Sequence, residues 1–248
     1  MNAPETHQTL QFIPASEFKQ RTTEAVSDAH LRKSFRGAMD FLMAKRAAQF
    51  PDPEALEAQR GLAEHIRKYS LARLPELLEQ LERNLTANGI QVHWAENAEE
   101  ANAIIIGIAK THSAKLVVKG KSMVSEETEL NHALEAAGIE ALESDMGEYI
   151  VQLNGEKPSH IIMPAIHKTK QQIARLFAEK VPGALYTESV DELIGIGRAV
   201  LREKYMVAEI GLSGVNFAVA ETGTLCLVEN EGNGRMCTTV PEVHIAIT

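Results

Sequence analysis

From residue 90 onward, short β-rich runs alternate with stretches of helical periodicity, and this alternation restricts the fold more than any other feature of the chain. The β-rich runs are 90–94, 115–119, 139–142, 160–163, 217–220, 224–228 and 243–247. Helical stretches at 96–112, 126–137, 168–180 and 189–208, with a short one at 148–153, separate most of them. A strand, a helix and a second strand in that order form a βαβ unit, which makes a parallel pair. The expectation is therefore an α/β fold, with a mostly parallel sheet flanked by helices. The last three runs have short links, so part of the sheet is expected to be antiparallel and the sheet as a whole mixed.

The helix ends carry their own signals. Ser125 reads as the cap of the 126–137 helix, and Gly138 as its stop. Ser189 and Glu192 read as a capping box. The first third has no strand signal. Phe35, Met39, Leu42 and Met43 recur at helical spacing within one helix over 16–50. Pro51-Asp52-Pro53 stops it, since proline lacks a backbone donor and disfavours helix in the residue before it. Further helices are expected over 53–70 and 75–87, with Gly89 as the left-handed cap of the second. The chain thus divides into an N-terminal helical segment, 1–89, and an α/β domain, 90–248.

Composition narrows the function classes. The net charge is −9, without any Lys/Arg-rich block, which argues against nucleic acid and anionic membranes as partners. The only cysteines are Cys226 and Cys237, too few for a disulfide framework, and a reducing compartment is the default. The opening MNAPETHQTLQF lacks a cationic stretch followed by an apolar one, and no apolar run is long enough to span a bilayer. A soluble cytoplasmic protein is the simplest reading.

Candidate site residues cluster where strands end. Asn216 to Ile247 reads NFAVAETGTLCLVENEGNGRMCTTVPEVHIAI. Glu221-Thr222-Gly223-Thr224 interrupts two β-rich runs, and a carboxylate leaving a buried strand is costly unless paired or functional. Glu221 is thus the catalytic candidate, with Thr222, Gly223 and Thr224 beside it as ligand contacts. Gly223 supplies an unusual backbone conformation or lets a ligand approach closely. The competing reading is a hairpin turn. Asn230-Glu231-Gly232-Asn233-Gly234-Arg235 reads as a flexible polar loop whose Arg235 suits a carboxylate or phosphate, or as an ordinary tight turn.

Three further candidates precede these. Lys119-Gly120-Lys121-Ser122 lies between a strand and a helix, but the glycine a Walker A loop needs five residues earlier is Lys115. What remains is a looser anion site at a helix N-terminus, or two solvated lysines. Glu143, Asp145 and Glu148 follow the 139–142 run and suit a general base, a metal or a sugar hydroxyl, or else a helix cap by Asp145 with two surface acids. His160 and His167 bracket the 160–163 run with a spacing unlike a zinc pair, so no metal site is read here; His167 alone is placed to reach a ligand. No G-x-G-x-x-G or G-x-S-x-G motif occurs. Gly211-Leu212-Ser213-Gly214 reads as a helix-ending turn.

Four of these stretches, in order, resemble the lactate-utilisation (LUD) domain family. They are VKGKSMVSEE at 118–127, ESDMGEYI at 143–150, PSHIIMPAIHK at 158–168, and AETGT with ENEGNGR and TTVPEVHI towards the end. The resemblance implies a fold similar to the phosphosugar-isomerase and CoA-transferase-like α/β proteins. It also implies an iron–sulfur electron-transfer subunit of a multi-component system oxidising L-lactate to pyruvate, with the other subunits as partners. Members of that branch continue into a ferredoxin-like region with CxxCxxCxxxC motifs. Four thiolates hold one 4Fe–4S cluster, so 4Fe–4S clusters are expected in the full-length protein and no cofactor in these residues, and the sequence reads as a piece of a longer chain or else as a member without the cluster region. The alternative is a non-redox α/β module that binds or senses a small anion.

Overall fold

The computed structural model describes residues 15–248 apart from Lys157. The reading of the first twelve residues as lacking a leader lies outside them. By internal packing the chain divides into two compact units, 1–51 and 52–248.

The first unit holds α1 (Ala15–Ser27) and α2 (Ala29–Gln49). The single helix expected over 16–50 is broken at Asp28, which leaves helical geometry and accepts the Leu31 amide at 2.9 Å. A short acceptor competes with the helix's own ladder and starts a new helix instead.

The second unit opens with α3 (Pro53–Ala72) and α4 (Leu74–Ala87). Asp52 caps α3, and Gly89 follows α4 with φ +85°. The α/β part then runs α5 (Ala98–Thr111), β1 (Leu116–Lys119), α6 (Met123–Glu127), α7 (Leu130–Ala136) and β2 (Glu140–Glu143). It continues through α8 (Met146–Leu153), α9 (Lys170–Lys180), α10 (Val190–Val207) and β3 (Ile210–Gly214). β4 (Phe217–Val219), β5 (Thr224–Cys226), α11 (Asn233–Thr239) and β6 (Val243–Ile247) close it.

The main sheet has the order β2-β1-β3-β6 and every pair in it is parallel. The α/β class and the flanking helices are as the alternation predicts. The antiparallel portion exists, but as a separate β4–β5 hairpin and not within the main sheet. Side chains of β1 alternate between faces. Leu116 and Val118 join Phe177, Leu201 and Tyr205 of α9 and α10 in one core, while Val117 joins Ile105, Leu130 and Ile210 in the other. Helices therefore cover both faces, which is why the strands read as continuous apolar runs.

Four local expectations are corrected. Residues 90–94 pair with no strand; the alternating apolar residues Ile90, Val92 and Trp94 do share one face, but no element covers it and Ile90 and Trp94 stay exposed. Residues 160–163 bend rather than extend, because His160 Nδ1 accepts the amides of Ile162 and Met163 at 3.1 and 3.1 Å and takes them from any ladder. The helix expected over 126–137 starts earlier, capped by Ser122 rather than Ser125, and breaks at Glu129, where φ is +50°. Gly211–Gly214 is no turn but the buried strand β3, next to the sheet's centre. A Cβ on Gly211 would lie 1.8 Å from the Cys237 carbonyl oxygen, so this glycine admits the backbone of α11 rather than ending a helix.

Candidate functional site

Strand order places the site. From β1 the chain crosses outward to β2, and from β3 it crosses the other way to β6. The reversal makes a topological switch point at the carboxyl ends of β1 and β3, the position where open parallel sheets place their ligand-binding crevice. Lys119-Gly120-Lys121-Ser122 leaves β1 at this crevice, and the Gly120 amide donates to the Leu212 carbonyl of β3 at 2.7 Å. Gly214, at the end of β3, is in contact range of Ser122 and Lys121.

Two lysines divide the work. Lys119 is 1% exposed, and its Nζ donates to Glu143 Oε1 at 2.6 Å and Asn131 Oδ1 at 2.5 Å. Asn131 Nδ2 returns a bond to Glu143 Oε1 at 2.7 Å, closing a three-residue network between β1, α7 and β2. A buried charge is tolerated when paired and hydrogen-bonded in this way. This pair is structural in character and fixes the β1 and β2 ends. Lys121 is less committed. Its Nζ donates to the Ile162 carbonyl at 3.2 Å and stands 3.8 Å from both Asp145 Oδ2 and Glu148 Oε1.

The carboxylates of the 143–148 segment take three different positions. Glu143 belongs to the Lys119 network. Asp145 caps α8 by accepting the Glu148 amide at 3.1 Å. Glu148, in the first turn of α8, is 3% exposed and neither carboxyl oxygen has a hydrogen-bond partner. Burial first, then the neighbouring Glu143, pushes its pKa up to about 9 against the smaller opposing pull of Lys121. At neutral pH Glu148 is a carboxylic acid. Groups so displaced, at a strand-end crevice, are what acid–base chemistry uses.

The glycine-rich stretch reaches the same place. Glu231 accepts the Met146 amide at 3.1 Å, and burial followed by the proximity of Asp145 raises its pKa. Asn233 begins α11, with Gly232 before it at φ +85°, so the expected flexible loop is half helix. Gly234 lies against Leu227 and within reach of Gly120. Asn230 is exposed, and the Arg235 guanidinium points to Glu229 at 3.1 Å. The 119–122, 143–148 and 231–234 segments thus come together.

Glu221-Thr222-Gly223-Thr224 goes elsewhere. It forms the β4–β5 turn and lies on α4, where Asn84 Nδ2 donates to the carbonyls of Ala220 and Glu221 at 2.7 and 3.0 Å. Asn88 Nδ2 donates to those of Thr222 and Gly223 at 2.9 and 3.2 Å. Gly223 has φ +64°, and its Cβ position would lie 2.6 Å from the Asn84 carbonyl carbon. The close approach expected of this glycine is made by a helix backbone. Glu221 itself is exposed.

His167 is held at the neighbouring turn. Its Nδ1 lies 2.6 Å from Ser159 Oγ and its Nε2 2.8 Å from Glu156 Oε2. Although burial opposes it, hydrogen bonds from Lys168 and His167 keep the Glu156 carboxyl below its ordinary range.

The sequence reading missed Asn131, Ser144, Tyr205 and Cys237. Ser144 Oγ donates to the Lys119 carbonyl at 2.6 Å and lies 3.5 Å from Cys237 Sγ. Only the serine had a signal, its place between two acids. Neither cysteine fits an iron–sulfur cluster. Cys237 is buried and Cys226 half-buried, and two cysteines are half the number a 4Fe–4S cluster takes. Among the described residues no group of three or more His, Cys, Asp or Glu is placed to hold a metal ion, and no helix is long and apolar enough to cross a membrane.

The LUD domain profile matches residues 78–248, which holds the sheet and all three converging segments. Lactate utilization protein B of Bacillus pumilus is 44% identical over 236 residues, covering 95% of this chain and 50% of the relative. Its counterpart in Bacillus licheniformis is 42% identical over 236 residues, covering 95% and 49%. An Escherichia coli protein described as the uncharacterized electron transport protein YkgF is 42% identical over 232 residues, covering 94% and 49%. The chain therefore spans about half the length of these curated relatives. No solved structure matches it. With its profile covering well over half of the residues, the chain belongs to the LUD domain family.

Proposed function

We propose that this chain is the LUD region of an iron–sulfur electron-transfer subunit in a multi-component system that oxidises L-lactate to pyruvate. The observation that carries the reading is the 44% identity to a lactate utilization protein B, sustained over 95% of the chain. The electron-transport description of the Escherichia coli relative supports the redox part. Oxidation of lactate to pyruvate releases two electrons and two protons. The 4Fe–4S clusters that would carry the electrons are assigned to residues outside 1–248, because Cys226 and Cys237 are two of the four thiolates one cluster takes. Residues 1–248 would then supply the α/β scaffold, the strand-end crevice and contacts to the other subunits, and would not oxidise lactate alone.

Deletion of the gene is expected to abolish growth on L-lactate while sparing growth on glucose, and the intact gene is expected to restore it. Unimpaired growth of the deletion strain would favour the alternative, a non-redox module binding a small anion. Residues 1–248, after anaerobic reconstitution with iron and sulfide, are expected to hold no stoichiometric iron. A stable brown protein with near-stoichiometric iron would contradict that assignment.

A further inference from the structure

Glu148 is chemically incomplete. Its carboxyl is buried without a hydrogen-bond partner on either oxygen, and Lys121, the cation beside it, stands 3.8 Å away, beyond hydrogen-bond reach. The other charged groups bearing on it are Glu143 from β2, Asp145 from the cap of α8 and Glu126 from α6, all acidic. The carboxyl accordingly keeps its proton at neutral pH, and the resulting O–H has no acceptor. Next to it, the Lys121 ammonium has three N–H groups and one hydrogen bond, to the Ile162 carbonyl. Unused donors of two kinds, one neutral and one charged, thus meet below the carboxyl ends of β1 and β3.

We propose that Lys121 and Glu148 bind a small 2-hydroxy or 2-oxo acid, Lys121 taking its carboxylate and Glu148 its 2-oxygen. The class of acid rests on the lactate reading above; the donor pair rests on the geometry. An ammonium suits an anionic carboxylate. A neutral carboxyl suits an uncharged oxygen, and it matches a hydroxyl in both directions because it offers a donor and an acceptor. Glu148 is then a specificity group, separating lactate and pyruvate from acetate, which has no 2-oxygen.

Calorimetric titration of the intact protein with L-lactate, pyruvate and acetate at pH 7 tests this. Wild-type protein is expected to bind the first two about tenfold or more tightly than acetate, since acetate leaves the buried carboxyl unmatched. Glu148→Leu is expected to lose about tenfold or more in lactate affinity and to erase the difference from acetate. Glu148→Gln keeps a donor and an acceptor and is expected to lose less. Raising the pH through about 9 removes the Glu148 proton and weakens lactate binding to the wild type, but not the residual binding to Glu148→Gln. Parallel pH profiles for wild type and Glu148→Gln would overturn the proposal, and they decide even if Glu148→Leu fails to fold. Absence of binding by the wild type at millimolar lactate and pyruvate would overturn it too. In that event, failure of the deletion strain on L-lactate would still uphold the proposed function, so the two readings fail separately.

Discussion

Replacing Lys119 by Met should reveal how the crevice is held. The Lys119 side chain is 1% exposed and that of Glu143 10%, and their ion pair is 2.6 Å long. Met fills a similar volume but removes the ammonium. Glu143 would keep the Asn131 amide at 2.7 Å and the Gln152 side-chain oxygen on its own backbone amide at 3.0 Å, but no cation. Breaking one side of a buried pair costs about 3–5 kcal/mol, because the remaining charge is uncompensated. At about 2–4 °C per kcal/mol for a domain of this size, the melting temperature should fall by about 6–20 °C. The double variant Lys119→Met with Glu143→Leu removes both charges and should recover to within about 1–2 kcal/mol of wild type, since apolar replacement of a buried pair is often neutral. Urea unfolding followed by far-UV circular dichroism at pH 7 measures all three proteins. A single variant within about 1 kcal/mol of wild type would refute the reasoning. So would a double variant less stable than the single one.

Three other outcomes are expected. Gly223→Ala should cost about 1–3 kcal/mol in the same urea assay, because φ of +64° and the nearby α4 backbone both oppose a Cβ; an unchanged midpoint would contradict the docking. Arg235→Ala should change stability by less than about 1 kcal/mol, since its guanidinium is 77% exposed and its pair with Glu229 is screened; a larger loss would give Arg235 a structural role. Glu148 makes stability fall with rising pH: its folded pKa of about 9 lies above its ordinary 4.5, so the folded state binds the extra proton between these values. Folding free energy should decline across that window, by up to about 1.4 kcal/mol per pH unit, and Glu148→Gln should flatten the slope; a wild-type profile no steeper than the variant's would count against a buried neutral acid.

The parallel sheet and most helix limits could be read from the sequence because they rest on short-range chemistry. Pro51-Asp52-Pro53, Gly89, Gly138 and Ser189 mark ends through proline geometry, positive φ or a side-chain cap, all within a few residues of the helix end. β3 could not be read this way. Its two glycines have the look of a turn, and only the packing of α11 against Gly211 and of Ser122 against Gly214 explains them. The convergence of Lys121, Glu148 and Glu231 joins residues up to 110 positions apart, so their types were visible but their meeting was not. Glu221 had an equally good local signal, yet it depends on Asn84 and Asn88, whose side chains announce nothing before the fold brings them to the turn.

The way those two asparagines hold the turn has a consequence for variation. All four of their bonds end on main-chain carbonyls, of Ala220, Glu221, Thr222 and Gly223. Any amino acid presents the same carbonyl, so the clamp does not discriminate among side chains at 221 and 222, whereas Gly223 is constrained by its positive φ and the adjoining helix. The Glu221 carboxylate projects into solvent as a group the architecture does not require. Selection on that side chain, where it acts, must come from whatever the intact protein meets at this surface.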